Sequence, residues 1–448
     1  MPVQQRAGWH ALAVTAGVMT SNASGYLLTV VAARLLAPFA FGELSALLAV
    51  LLVGTVPAMG MATAVALRVA AHPGEPRGPS TGLGIAVAVG MTALAAVAMP
   101  LVAHALHVTD VGALVWLTVS VAPLTVNGLW LGLLQGRQRF ARYGALVAGE
   151  AAGRVGGALT GLAVTGTSGG AMAGVATGVA VSTCVGWVVC GRPVPARFRA
   201  ARLAEAAHAA QALLAVVVLV NLDLVLARHV LPAVSGQYAV GAVLAKIAYW
   251  LPHAVAVLVL PRLTGAGRKK AMTAGLAVCA ALSGTVVLAA ALFGPGLLAL
   301  VGGRSYVDSG LSLWPFAVNG AFLALAHILL FARIADGDRR ATLLTWLAVA
   351  VETGLVLGWL NDSPGQVVGA AAITTGALVA AGALVELRGR RRKSSRGLDG
   401  PASRWTHGRK AQVQPVRGPS GRTPSENLDP PIPTKDFRRR PPRHGRTT

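Results

Sequence analysis

Charged side chains inside long apolar segments are the residues of this chain that could do chemistry. The stretch NLDLVLARHVLPAVSGQYA (Asn221–Ala239) follows the apolar run ALLAVVVLV and carries a carboxylate, Asp223. A helix that enters a membrane near Gln211 places Asp223 about 18 Å along its axis, just beyond the midplane. Such a charge costs about 2.5–3.5 kcal/mol on insertion scales, so it usually faces a bundle interior or an aqueous cavity. Asp223 therefore predicts a cation or proton site, or a buried partner for a nearby base.

Two bases lie at comparable depth. Lys246 is the only lysine within the predicted spans, and it can either neutralise Asp223 or bind an anion through charge-assisted hydrogen bonds. Arg154 follows Glu150 by four residues, the spacing of an ion pair on one helix face. We predict a structural ion pair between Glu150 and Arg154, with Arg154 also a candidate anion-binding base.

A second acid, Glu352, lies in a later apolar segment. With Asp223 and either Thr374 or Thr375, it would form an oxygen-rich site for a small hard cation. Glu352 is therefore the second candidate for coupling to a cation or proton.

Other reactive residue types predict no site. His253 and His327 are lone histidines at apolar positions, where satisfied core residues are commoner than proton relays. The cysteines Cys184, Cys190 and Cys279 form no CxxC pair and no metal-ligand spacing, so they predict packing residues. No GxxxxGK[ST] pattern occurs, and the one DxD match, Asp336-Gly337-Asp338, lies in a short connector between apolar runs. We therefore predict no cofactor, no metal and no enzyme activity.

The elements that must position these residues are membrane-spanning helices. Of the 448 residues, 54% are hydrophobic and 12% charged, whereas soluble domains carry about 25% charged residues. Runs of about 20 apolar residues cross a bilayer. Twelve such runs lie at roughly 9–34, 44–67, 82–105, 111–135, 143–165, 169–190, 209–231, 237–260, 271–294, 309–333, 341–360 and 365–386. The sequence therefore predicts an all-α integral membrane protein.

The distribution of Lys and Arg predicts the orientation. With the N-terminus inside, the five inner connectors carry sixteen basic residues, and the six outer ones carry Arg34, Arg228 and Arg304. This asymmetry follows the positive-inside rule, so both termini are predicted to be cytoplasmic. The end of the bundle predicted to face outside is called the outer end below.

The two halves repeat one motif. ARLLAPFAFG (Ala33–Gly42) and ARHVLPAVSG (Ala227–Gly236) both follow A-R-x-[L/V]-x-P-x-x-x-G without a gap. The motif matches Arg34 with Arg228 near the outer end; each is either a helix-end anchor that reaches the headgroups or part of a shared gate. Transporters with repeats place the substrate path at the repeat interface. We predict two six-helix lobes around a central cavity.

Four segments follow from this organisation. They are an N-terminal lobe at 1–190, a cytoplasmic linker at 191–208, a C-terminal lobe at 209–386, and a disordered basic Pro/Gly-rich tail at 387–448. The tail carries seventeen of the 39 Lys and Arg residues, and such a juxtamembrane cluster attracts anionic lipids. Because the basic residues sit in loops and in the tail rather than on a folded domain, no nucleic acid is predicted as a partner.

One family shares these motifs in this order. Asn221–Leu263 resembles the seventh and eighth helices of bacterial polysaccharide flippases, with an Asp in helix seven, a G-x-Y turn and a helix that ends at Pro261 and Arg262. Ala33–Val50 and GLLQGRQRF (Gly132–Phe140) are also similar to that family. It belongs to the multidrug/oligosaccharidyl-lipid/polysaccharide exporter superfamily.

The resemblance spans roughly residues 8–386 and implies a Wzx-type flippase of the bacterial cytoplasmic membrane. Such proteins move an undecaprenyl-pyrophosphate-linked oligosaccharide to the outer leaflet, coupled to a monovalent cation or proton. Lys246, Arg154, Arg34 and Arg228 would then meet the pyrophosphate. The basic tail is a further place where a glycan-assembly protein could dock. Twelve helices, rather than the fourteen usual in lipid II flippases, favour the polysaccharide branch.

Three other classes stay open. A cation-coupled multidrug exporter of the same superfamily would need an acidic or aromatic cavity, whereas aromatics are 5% of this chain and two deep bases suit an anion. A membrane glycosyltransferase or polymerase would need a large extramembrane loop or a carboxylate-rich metal motif. A non-transporting scaffold would have little use for intramembrane charges.

Overall fold

The described part of the chain is entirely helical. The computed structural model describes residues 3–72, 74, 78–195, 201–259, 268–335 and 339–398. The helices of the N-terminal half are α1 (Val3–Leu35), α2 (Pro38–Gly54), α3 (Val56–Ala71), α4 (Gly78–Ala105), α5 (Val111–Gly136), α6 (Phe140–Thr165) and α7 (Ser168–Val189). Those of the C-terminal half are α8 (Ala201–Val230), α9 (Ser235–Val259), α10 (Arg268–Leu292), α11 (Gly294–Gly302), α12 (Arg304–Val307), α13 (Trp314–Ala335), α14 (Arg339–Gly358) and α15 (Pro364–Leu398).

Many of these helices are long and apolar enough to cross a membrane. Within the described residues there are eight such stretches: Pro38–Ala71, Ser80–Ala105, Val111–Gly136, Ser168–Val189, Leu213–Val230, Met272–Leu292, Arg340–Gly358 and Pro364–Leu384. The other four predicted segments also overlap helices, namely α1, α6, α9 and α13. In α6, glycines together with Glu150 and Arg154 lower the hydropathy of the helix. A multi-pass membrane protein is therefore indicated.

Prolines set the helix starts at the repeated motif. Pro38 occupies the first turn of α2, and Pro232 begins a short 3₁₀ turn, Pro232–Val234, that leads into α9. Proline suits these positions because its fixed φ matches a helix and its missing N–H would have no helical partner there. Pro57 likewise ends α2 and starts α3 around Thr55.

Several helices extend beyond the apolar runs. Helix α8 begins at Ala201, within the predicted linker, and α15 continues to Leu398, past the predicted start of the tail. Both extensions are rich in Ala, Leu, Glu, Lys or Arg, which favour helix without being apolar. Hydropathy detects only the part of a helix that lipid would surround. The remainder of the tail, 399–448, lies outside the described residues.

Helix neighbours recur between the two halves. In the N-terminal half α1 packs on α6, while α5 packs on α3 and α4. In the C-terminal half α8 packs on α14, while α13 packs on α9 and α10. Between the halves, α3 contacts α8 and α1 contacts α9. These contacts are the ones expected if the two halves are repeats in which α8 corresponds to α1, and α9 corresponds to α2 and α3 together.

Candidate functional site

Asp223 is the centre of a polar network on α8. Its side chain is only 5% exposed. One carboxylate oxygen accepts a hydrogen bond from the Leu224 amide at 2.8 Å, and the other accepts from the Tyr238 hydroxyl at 2.9 Å. The Asn319 amide on α13 approaches that second oxygen at 3.5 Å. The carboxylate is therefore held by side chains from two neighbouring helices.

The network continues to the last helices of the chain. Asn319 accepts a hydrogen bond from the Thr375 hydroxyl on α15 at 3.0 Å, so Thr375 joins the network, whereas Thr374 bonds to its own helix at Ala370. Glu352 on α14 is 1% exposed, and neither of its carboxylate oxygens has a hydrogen-bond partner within the described structure. It lies close enough to Asp223 to interact electrostatically.

An unpartnered, buried carboxylate is costly unless it is protonated or bound to a cation. Because Glu352 interacts electrostatically with Asp223, the region of these two acids is suited to a proton or a small cation. Asp223, Asn319 and Thr375 add oxygen atoms to it, and hard cations prefer oxygen ligands. The structure thus groups both predicted coupling acids with Thr375, one of the two alternative threonines.

Lys246 connects this cluster to a larger cavity. It lines a water-sized space of about 10 Å³ together with Asp223, but no ion pair joins the two side chains in the described part of the molecule. Lys246 also lines a cavity of about 250 Å³ with Arg154, Tyr26 and Trp250. The Tyr26 hydroxyl donates to the Lys246 carbonyl at 2.9 Å, which ties α1 to α9 beside this cavity. Two predicted anion-binding bases therefore face one space.

Glu150 and Arg154 have different partners. The Glu150 carboxylate accepts a hydrogen bond from the Asn127 amide on α5, and no ion pair with Arg154 is found among the described residues. Because an amide of a neighbouring helix holds Glu150, Arg154 is left to face the cavity. The spacing of four residues between Glu150 and Arg154 predicted that both lie on α6, but it did not predict which groups they contact.

Arg228 is enclosed by protein. The side chain has no exposed surface, and its donors bond to the carbonyls of Leu106 at 2.8 Å, His107 at 3.0 Å and Phe39 at 3.1 Å. These three acceptors belong to the N-terminal half, whereas Arg228 belongs to α8. Two acceptors of its own half, the Pro232 carbonyl at 3.3 Å and the Ser235 hydroxyl at 3.0 Å, complete its hydrogen bonds. The guanidinium also lies 3.6 Å from the Glu43 carboxylate. In this conformation the donors of Arg228 are therefore used by protein groups.

Glu43 completes this outer clasp, a name used below for Arg228, Glu43 and their hydrogen-bond partners. Glu43 is 1% exposed. It accepts hydrogen bonds from the Thr109 amide and hydroxyl, both at 2.9 Å, and from the Ser168 hydroxyl at 2.6 Å. The Phe39 ring lies 4.1 Å from the Arg228 guanidinium carbon. A buried charge pair with its hydrogen bonds satisfied is tolerated, whereas either charge alone is not.

The two copies of the repeated motif contact each other beside the clasp. A Cβ at Gly42 would lie 2.7 Å from the Gly236 amide nitrogen, and a Cβ at Gly236 would overlap the Pro38 carbonyl. Only glycine lets the first turns of α2 and α9 approach so closely. The matched arginine of the first copy differs from Arg228, because Arg34 is exposed and donates to the Leu300 carbonyl on α11.

The predicted lone histidines are less informative. His327 contacts the Tyr249 hydroxyl through Nδ1 at 2.7 Å, which agrees with a satisfied core residue. His253 lies in α9, and its side chain falls outside the described residues.

Sequence reasoning missed Glu43, Tyr238, Asn319 and Asn127. Glu43 directly follows the glycine of the first motif and is the one carboxylate among the first 74 residues, a signal that could have identified it. Tyr238 lies in the G-x-Y turn that carried the family resemblance. The two asparagines had no comparable signal, because their roles depend on which helices meet.

Comparison with solved structures identifies the fold. An inward-facing multidrug resistance MATE family transporter of the MOP superfamily superposes with a TM-score of 0.63 at 11% identity, covering 88% of this chain and 99% of that chain. The lipid II flippase MurJ in an inward closed conformation gives a TM-score of 0.65 at 12% identity, covering 83% and 86%. A MOP superfamily transporter from Pyrococcus furiosus, described as having reversed polarity of its binding pocket, gives 0.58 at 15% identity, covering 86% and 94%.

The chain matches no protein-family model and no curated protein. The likeness to solved structures therefore shows the fold, which is that of MOP superfamily transporters.

The outer clasp predicts a strong energetic coupling between Arg228 and Glu43. Arg228→Met or Glu43→Gln alone leaves a buried group without its partner and should destabilise the fold by about 3–5 kcal/mol. The double variant should lose clearly less than the sum of the two. Denaturant unfolding of the purified protein in detergent micelles measures all three. Additive losses, or a stable Arg228→Met variant, would contradict the clasp.

Proposed function

We propose that this chain is a flippase of the bacterial cytoplasmic membrane that moves an undecaprenyl-pyrophosphate-linked oligosaccharide to the outer leaflet. The observation that carries the proposal is the pairing of Lys246 and Arg154 on one cavity. Two bases that share a partly desolvated space repel a cationic cargo and bind a phosphate-bearing one. The fold, shared with both a lipid II flippase and multidrug transporters, is compatible with such transport.

The size of the cavity supports alternating access. Its volume of about 250 Å³ is below the usual 300–1,000 Å³ of ligand pockets. The space suits a pyrophosphate but not a whole oligosaccharide, so the halves must separate to admit the substrate. We include in the proposal twelve spans in two six-helix lobes, with both termini cytoplasmic, as the repeat and the basic residues predict.

Coupling is assigned to the polar network of Asp223 and Glu352. A proton or monovalent cation that enters beside Glu352 would change the charge next to Asp223, Tyr238 and Lys246. The Tyr238 hydroxyl and Asp223 join α9 to α8, and Arg228 lies on the same helix five residues further on. The network is thus connected to the outer clasp through one rigid helix. Arg34 and Arg228 would contribute to pyrophosphate release only when the outer end opens.

The competing function is a cation-coupled multidrug exporter. The structures of MATE transporters are as similar in fold as that of MurJ, so the fold does not separate the two. The two bases of the cavity favour the anionic cargo.

Two kinds of partner belong to the proposal. Basic residues of the tail would hold anionic lipids, and glycan-assembly proteins would bind the whole chain.

The direct test uses the native host with the gene deleted and restored on a plasmid. Undecaprenyl-linked oligosaccharides are quantified, and the leaflet they occupy is assigned by accessibility to an external glycan-modifying enzyme. Accumulation in the inner leaflet that wild type relieves supports the proposal. Unchanged lipid-linked sugars with altered resistance to cationic drugs would show the multidrug function instead.

In the same assay, Lys246→Gln and Arg154→Gln should each lower the rate of outer-leaflet appearance by about tenfold or more, because each removes a charge-assisted hydrogen bond to the pyrophosphate. Arg304→Gln is the matched control, since Arg304 is an exposed arginine of α12 that lines none of these cavities. Wild-type rates in both cavity variants would remove the anion site from the mechanism.

Asp223→Asn should insert and fold normally yet lose transport. Its amide oxygen can still accept one of the hydrogen bonds that Leu224 and Tyr238 donate, but an amide cannot exchange a proton or bind a cation as a carboxylate does. Membrane abundance and thermal unfolding are measured beside the leaflet assay. Transport at the wild-type rate would show that Asp223 takes no part in coupling.

A further inference from the structure

Helices α6 and α7 are in close contact along three glycine pairs and separate beyond them, toward the end predicted to be cytoplasmic. Glycines pair across the interface as Gly161 with Gly170, Gly157 with Gly174, and Gly153 with Gly178. A Cβ at Gly157, Gly161 or Gly178 would overlap the opposite carbonyl, and one at Gly153 would lie 2.9 Å from it. The next pair in the series is Gly149 with Ser182, but a Cβ at Gly149 would meet nothing within 4 Å.

This separation leaves a groove of about 230 Å³. Its walls are mostly apolar and come from both helices: Ala145, Leu146, Gly149, Gly153, Val181 and Val185. Val181 is 64% exposed and Val185 is 50% exposed, so the groove opens toward the lipid that surrounds an apolar helix pair. It shares no lining residue with the cavity of Lys246 and Arg154.

The floor of the groove holds an unsatisfied hydroxyl. Ser182 lines the groove and is only 5% exposed, yet its Oγ has no hydrogen-bond partner within the described residues. A buried hydroxyl without a partner is costly in an apolar environment. A carbonyl oxygen of a bound molecule would supply the missing acceptor.

The open end of the groove is positively charged. Arg142 lines it and is exposed, with no ion pair or hydrogen bond recorded in the described structure. This end is also the N-terminus of α6, whose partial positive charge favours anions, and the N-cap residue Arg139 makes no side-chain capping bond. Arg192 lies at the same end after α7. The nearest carboxylate along α6, Glu150, is held by Asn127.

The groove is long enough for the headgroup end of one lipid. From Arg142 to Gly153 the helix rises about 16 Å, which spans a phosphate, an ester and the first part of an acyl chain. Ser182 is level with Gly149, about 10 Å along the axis from Arg142. A phosphate, an ester carbonyl and an acyl chain occur in this order in a glycerophospholipid.

We propose that the groove between α6 and α7 is a binding site for one anionic phospholipid of the cytoplasmic leaflet. Arg142 binds the phosphate, Ser182 donates to an ester carbonyl, and the acyl chain lies over Gly149 and Gly153 between Val181 and Val185. The site is separate from the transported cargo, so it stands whether or not the chain moves a lipid-linked oligosaccharide.

Native mass spectrometry of the delipidated full chain tests this site. The protein is titrated with dioleoyl phosphatidylglycerol or with dioleoyl phosphatidylcholine, which share their acyl chains and differ in net charge. Wild type should prefer phosphatidylglycerol both at the basic tail and in the groove, so the groove is measured by comparison with the variant. Arg142→Gln should weaken the tightest phosphatidylglycerol binding about fivefold, the effect of about 1 kcal/mol from one arginine near the surface, and should leave phosphatidylcholine binding unchanged.

Gly149→Leu should fill the groove and weaken phosphatidylglycerol binding by about fivefold or more, since the buried chain contacts are lost. Gly156→Leu is the matched control, because Gly156 is also an exposed glycine of α6 whose Cβ would meet nothing within 4 Å, and it lies outside the groove. Equal binding of both lipids by wild type, or wild-type affinity in Gly149→Leu, would overturn the proposal.

Discussion

A fully buried guanidinium is the constraint on which the closed outer end depends. Arg228 can remain charged without solvent because the carbonyls of Leu106, His107 and Phe39 and the carboxylate of Glu43 surround it. Those groups belong to the opposite half of the chain, whereas two further acceptors, the Pro232 carbonyl and the Ser235 hydroxyl, belong to its own half. Any separation of the halves at this end must therefore remove the Glu43 charge and three carbonyl acceptors from the arginine, which is costly unless water replaces them. The glycine contact beside it, Gly42 against Gly236, adds close packing to the same joint.

The clasp and the polar interior share one helix. Helix α8 carries Asp223 within the network and Arg228 within the clasp, five residues apart, so a displacement that changes one must move the other. The interior itself divides into two regions that Lys246 joins: an acidic cluster with Glu352 and Asp223, and a cavity with Arg154. Under the proposed function, the acidic cluster would hold the coupling ion and the basic cavity the anionic cargo, with Lys246 between them.

The sequence predicted which residues are special better than it predicted what they contact. Hydropathy placed every long apolar segment in a helix, because helices are the only way to satisfy a backbone in lipid without closing a barrel. Intramembrane charges were found for the same reason. The partners of these charges were not predicted. Glu150 bonds to Asn127 rather than to Arg154, and Glu43 was overlooked although it is paired with Arg228. Packing between segments that are far apart in sequence decides which helix faces meet. The spacing of residues within one helix does not contain this information.

Opening at the outer end can be measured directly with spin labels at Val111 and Asp362. Both are exposed residues at that end, one in each half. Double electron–electron resonance on the labelled protein in lipid nanodiscs should give mainly a short distance between the labels. A second, longer distance should become more populated when a lipid-linked oligosaccharide is added. Arg228→Met should populate the longer distance without substrate. One unchanged distance distribution for wild type, substrate-bound protein and variant would contradict the view that the buried arginine holds two moving halves together.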